Sequence, residues 1–263
     1  MNQTFDLRRF NLVLRLHFSE HLRTYLMGIG ILFGIWIIML IPNIIHVTHF
    51  SESLYRSHGT LFGFIFCGAG AWFASESFRV VGTPMRGIPF LTLPASQFEK
   101  YLVACLMLIL FVLVFLGVFY TVEGAAFSLV NARLPQDEPR YHLLDLSGTA
   151  VPIELQYVSI AGVPFFFLGS IYFSKVPFVK TGVVAFALLF GIIFLNQFII
   201  EQLFPSRDSY GTGAFRSVAF IQNGIWYSVA LSGTPKMIVD AFLILTVAGL
   251  WVATYIRFKE KEV

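Results

Sequence analysis

The chain alternates long apolar runs with short polar punctuation, and that pattern predicts most of its elements. About 20 mostly apolar residues carry a helix across a hydrocarbon core of roughly 30 Å. Six stretches approach that requirement, at 26–45, 58–75, 101–122, 156–173, 181–200 and 237–256. The second and fourth are the shortest, and the fourth holds Pro164. The expected fold is therefore an all-α integral membrane protein, one transmembrane domain over 1–263 with six transmembrane helices.

Residues 1–25 follow a different pattern. At 100° per residue, Leu7, Phe10, Leu14, Phe18, Leu22 and Tyr25 gather on one side. Arg8, Arg9, Arg15, Glu20 and Arg23 gather on the other, with Leu12 and Leu16 off pattern. This predicts an amphipathic helix lying in the membrane interface. Charges recurring from Asp6 to Arg23 do not fit a cleavable leader.

Composition points the same way. Charged residues make up 13% of the chain and hydrophobic ones 57%, with mean hydropathy +0.75. Soluble domains carry about 25% charge, so a membrane-embedded chain is indicated. The net charge of +3 comes from scattered residues, which gives nucleic acid no basic patch to bind. Cys67 and Cys105 sit in apolar runs and read as small buried hydrophobes. No Cys/His cluster has zinc spacing, nothing matches GxxxxGK[ST], and no serine sits in a GxSxG elbow. A metal, a cofactor and a catalytic site are therefore not expected in this chain, nor a nucleotide-binding domain.

Lys and Arg favour the cytoplasmic side. With the N-terminus inside, twelve fall inside and six outside, the latter being Arg56, Arg133, Arg140, Arg207, Arg216 and Lys236. Both termini are thus expected in the cytoplasm. Two long segments then face outward. "NARLPQDEPRYHLLDLSGTAVPIE" (131–154) predicts turns and short strands within 123–157. "GAFRSVAFIQNGIWYSVALSG" (213–233), within 201–236, predicts a re-entrant or interfacial element, since a seventh span would reverse the C-terminal charges. Glu123 and Asp240 fall at the outer boundary, as headgroup-exposed charges or as an outer gate. Gly30 and Gly34 form a GxxxG that reads as close helix packing within the bundle, or at a subunit interface.

The cytoplasmic connection "SESFRVVGTPMRGIPFLTLPASQFEK" (75–100) is broken by Pro84, Pro89 and Pro94. After Pro94, Ser96 has Glu99 three residues on, the spacing of a capping box that starts the third span. "LTLPASQFEKYL", with the loop before it and the apolar helix after it, resembles the permease subunits of type-2 ATP-binding-cassette (ABC) transporters. The N-terminal helix, the six spans and the inside termini extend the likeness over nearly the whole chain. The resemblance implies a coupling helix at about 79–98 that docks on a separate ABC ATPase subunit, where ATP and magnesium would bind. It makes Glu76, Arg79, Arg86 and Glu99 docking charges, with Pro94 and Ser96 in the same coupling loop. It further implies pairing with a second permease copy or a sister permease, in a bacterial cytoplasmic (inner) membrane. The activity expected is export of a drug-like, peptide or lipidic substrate. Membrane scaffolding or assembly without a transport path is the alternative, and a stand-alone membrane enzyme comes third.

Overall fold

The computed structural model describes residues 5–79, 92–146, 151–203, 209–212, 215–222 and 225–261. Six long helices occur among them: α1 (Leu7–Ile44), α2 (Glu52–Glu76), α3 (Gln97–Asn131), α4 (Ile153–Tyr172), α5 (Pro177–Leu203) and α6 (Thr234–Glu260). Between α5 and α6 lies an antiparallel sheet in the order β1 (Ser209–Thr212), β2 (Ser217–Gln222), β3 (Ile225–Ala230).

Side-chain packing sets the helix directions. Phe78, Tyr101, Phe167 and Phe258 share one cluster, bringing together the end of α2, the start of α3 and the ends of α4 and α6. Ile44, Leu54, Phe127 and Val130 share another, at the end of α1, the start of α2 and the end of α3. A middle layer joins Trp36, Phe62, Phe115 and Phe119. Consecutive helices therefore alternate in direction. Leu7 and Glu260 lie at one end of the bundle, the terminal end, and residues 132–146 and the sheet at the other, the loop end.

All of these helices but α2 are long and apolar enough to cross a membrane. Only 6% of the apolar window of α6 is buried, and Phe186, Phe190, Phe194, Phe242 and Leu245 are exposed. Soluble monomers rarely show apolar surface on this scale. The chain is built as a membrane-embedded protein. Helix α2 falls outside the set because Glu52, Arg56, His58 and four glycines dilute its apolar character. Two of those glycines, Gly63 and Gly70, serve packing instead. A Cβ at Gly63 would stand 2.8 Å from Leu155, and one at Gly70 would stand 3.2 Å from Val163, so α2 lies closer to α4 than larger residues permit.

Several expectations are corrected. Helix α1 runs unbroken from Leu7 to Ile44, with no separate interfacial helix ending at residue 25, because neither proline nor a capping residue interrupts it there. Helix α3 continues to Asn131, beyond the expected limit at 122, and no strand occurs among the described residues of 123–157. Its last two turns, "GAAFSLVN", contain no proline, and the chain leaves helix just before Pro135. The segment 213–233 contributes strands β2 and β3, so the fold is mostly helical with a small sheet rather than all-α. Alternating β-branched and aromatic residues favour that outcome. Gly30 and Gly34 have no neighbour within 4 Å of an added Cβ, so the GxxxG makes no close helix contact among the described residues.

Candidate functional site

At the terminal end, the residues entering α3 build a junction. Ser96 is the N-cap: its hydroxyl accepts from the Glu99 N–H at 3.2 Å, and Glu99 Oε2 accepts from the Ser96 N–H at 2.8 Å. The capping box forms as its spacing requires. Glu99 is fully buried, and its second oxygen reaches across the bundle. Oε1 accepts from the Asp6 N–H at 2.8 Å and from the Arg9 guanidinium at 3.2 Å. Asp6 is itself the N-cap of α1, accepting from the Arg8 N–H at 2.8 Å. One carboxylate therefore ties the N-termini of two helices, and both helix dipoles favour its negative charge. Around it Phe5 packs edge-on to Phe98 at 6.1 Å, and Phe98 meets Tyr255 of α6 at 6.1 Å.

The other residues singled out at this end are placed differently. Glu76 pairs with Arg79 at 2.9 Å within one helical turn, and the Arg79 side chain is 55% exposed. Pro94 is exposed in the bend before Ser96. Arg86 lies outside the described residues. Thus Arg79 and Pro94 face outward, while Ser96 and Glu99 face into the protein.

Farther along α1, His17, His21 and Tyr25 line one face. The Tyr25 hydroxyl lies 2.6 Å from His17 Nε2, and the two imidazoles stack at 4.7 Å.

At the loop end, Glu123 of α3 and His58 of α2 are both fully buried. Glu123 Oε2 accepts from the Leu144 N–H at 3.0 Å, and Oε1 faces His58 Nδ1 at 3.8 Å. His58 stacks on Phe127 at 5.0 Å with 4° between ring planes. Asp240 belongs to a separate group. It pairs with Arg216, which directly precedes β2, and the Arg216 guanidinium lies 3.8 Å over the Tyr157 ring. The structure does not bring Glu123 and Asp240 together: one is buried under 132–146, the other anchors the sheet.

Sequence reasoning missed Asp6, Arg9, His58, Tyr157 and Arg216 as members of these groups. His58 carried the one available signal, an ionisable residue inside an apolar run, which marks a functional candidate in a membrane segment. Comparison of the chain with family models, curated proteins and solved structures finds no match.

Proposed function

We propose that this chain is the membrane-spanning permease subunit of an ATP-driven transporter of the type-2 ABC kind. In this reading ATP is bound and hydrolysed, with magnesium, on a separate ATPase subunit. The terminal end faces the cytoplasm of a bacterial inner membrane, and a second permease copy or a sister permease completes the pathway. The cargo is a drug-like, peptide or lipidic molecule leaving the cell.

The observation that carries the reading is the Glu99 junction. The connection between α2 and α3 returns into the bundle at Ser96, where Glu99 joins α1 to α3 and Phe98 contacts α6. A push on that connection by a docked partner moves the starts of α1 and α3 and the end of α6 together. That is what coupling to an external motor requires. Arg79 and Pro94 supply exposed docking positions on either side of the connection.

Two further features agree. Helix α2 serves as the sixth span, its lower apolarity offset by its close packing against α4. The N-terminal part of α1 serves as the interfacial segment. Between Asp6 and Trp36, α1 spends 30 residues where α3 spends 16 to 20, from Glu99 to Phe115 and Phe119. At 1.5 Å per residue these are about 45 Å against about 24 to 30 Å, so α1 is inclined or bowed relative to α3.

The test is affinity purification of the full chain from membranes in mild detergent, followed by reconstitution. The expected result is a stoichiometric ATPase subunit whose hydrolysis rate changes with the permease present, together with ATP-dependent cargo movement in vesicles. An ATPase partner without cargo movement supports a scaffold or assembly subunit instead. Absence of any ATPase partner overturns the proposal.

A further inference from the structure

Residues 132–146 form a strap folded back over the loop end. Arg133 donates to the Ile45 carbonyl at 3.1 Å. Asn131 bonds both the N–H and the carbonyl of Tyr141, each at 2.9 Å. Tyr55 and Tyr120 donate to the carbonyls of Leu143 and Leu144 at 3.2 and 3.1 Å. Among these ties, one uses a buried charge: the Leu144 N–H donates to Glu123.

Beneath that tie the site is incompletely bonded. Among the described residues, both ring nitrogens of His58 and Glu123 Oε1 are buried without a hydrogen-bond partner. Such groups are costly unless paired. At 3.8 Å the two face each other just beyond hydrogen-bond range. The surroundings offer little else to neutralise them. Helix α1 contributes apolar Trp36, Leu40 and Ile44, and α4 contributes Leu155 while its Glu154 is exposed. The ionisable groups nearby are Tyr55 on α2, Tyr120 on α3, and Tyr141 and Asp145 on the strap.

We propose that His58 and Glu123 form a proton-binding site whose occupancy sets whether the 132–146 strap stays seated. With one proton shared between them, the pair has no net charge, and Glu123 accepts from Leu144 as a carboxylate. A second proton, taken from water at the loop end, converts Glu123 to a neutral carboxylic acid opposite an imidazolium. The Leu144 N–H then loses its charged acceptor, and hydrogen bonds to ionised groups are about twice as strong as neutral ones. The buried imidazolium loses its counter-charge, which favours lifting the strap and admitting water. This inference stands independently of the transporter reading.

A second acid-sensitive tie must be separated from the first. His49 lies 2.7 Å from Glu138 on the outer face of the strap, and this bond, followed by that from the Phe50 N–H, holds the Glu138 carboxyl below the ordinary range. The test is hydrogen–deuterium exchange of peptides covering 132–146 in the purified full chain, in detergent, at about pH 7.5 and about pH 5. Rates are corrected for intrinsic exchange. The expected result is about tenfold lower protection at the acid pH, retained in His49→Gln. Glu123→Gln is expected to exchange fast at both pH values. His58→Gln keeps the Glu123 carboxylate, and is expected to stay protected at neutral pH with a weakened acid response. Helix content by circular dichroism and a monodisperse elution profile show that each variant is folded. Equal protection of the unmodified chain at both pH values overturns the proposal. So does an acid response that disappears in His49→Gln but persists in both His58→Gln and Glu123→Gln.

Discussion

Replacing Glu99 by alanine is expected to lower stability by about 3 kcal/mol, among the largest single effects outside the aromatic layers. The carboxylate accepts from Ser96, Asp6 and Arg9 and is fully buried, so alanine leaves three donors without their acceptor. Two of these are N–H groups at helix N-termini, and that of buried Ser96 has little access to replacement water. Glu99→Gln retains an acceptor at N3 of the capping box and loses mainly the charge interaction with Arg9. Its expected cost is about 1 kcal/mol. Unfolding of the two variants in detergent checks the difference, and equal midpoints would refute the junction. Exchange at residues 5–10 gives a second readout, since only alanine frees the start of α1. Under the transporter reading, the alanine variant also hydrolyses ATP with less cargo moved per turnover.

Gly169→Ala is expected to destabilise by about 3 kcal/mol, at the upper end for one added methyl in a packed site. A Cβ at Gly169 would overlap the Thr181 hydroxyl and stand 2.5 Å from its Cγ2 and 2.8 Å from its Cβ. The overlap cannot relax easily. Phe173 to Val176 make the short turn from α4 to α5, and Val176 takes a left-handed φ of 50° that a β-branched residue adopts only under constraint. Thr181→Ala removes two of the three overlaps. Its hydroxyl has no hydrogen-bond partner among the described residues, so this change alone is expected to be nearly neutral. Combined with Gly169→Ala, it should restore part of the lost stability, and Thr181→Gly should restore more. Strictly additive costs in the double variants would refute this contact.

The features legible in advance were those set by neighbours along the chain. Six helices appear where six apolar runs stand, and Ser96 with Glu99 forms a capping box because that device needs only a three-residue spacing. The sheet was also locally encoded. Asn223-Gly224 sits between two alternating apolar runs, the strongest short hairpin signal, and the register pairs Gln222 with Ile225. Reading the segment as a membrane element obscured it, since its apolar content satisfies both patterns. The length of α1 was misjudged for a similar reason: amphipathic and wholly apolar faces meet at residue 25 without any residue that ends a helix.

By itself, the sequence determined a membrane-embedded helical chain, the sites of its helices and the cap that starts α3. Hydropathy and capping act over a few residues, so composition and spacing suffice for them. Tertiary structure alone decided which charges share a site. Glu99 meets Asp6 and Arg9 across 93 and 90 positions, and Arg216 meets Asp240 across 24. His58 faces Glu123 from another helix. These pairings depend on alternating helix directions and on the close approach of α2 to α4, which bring distant positions to the same depth. No local pattern records that depth, because it is set by how whole helices pack.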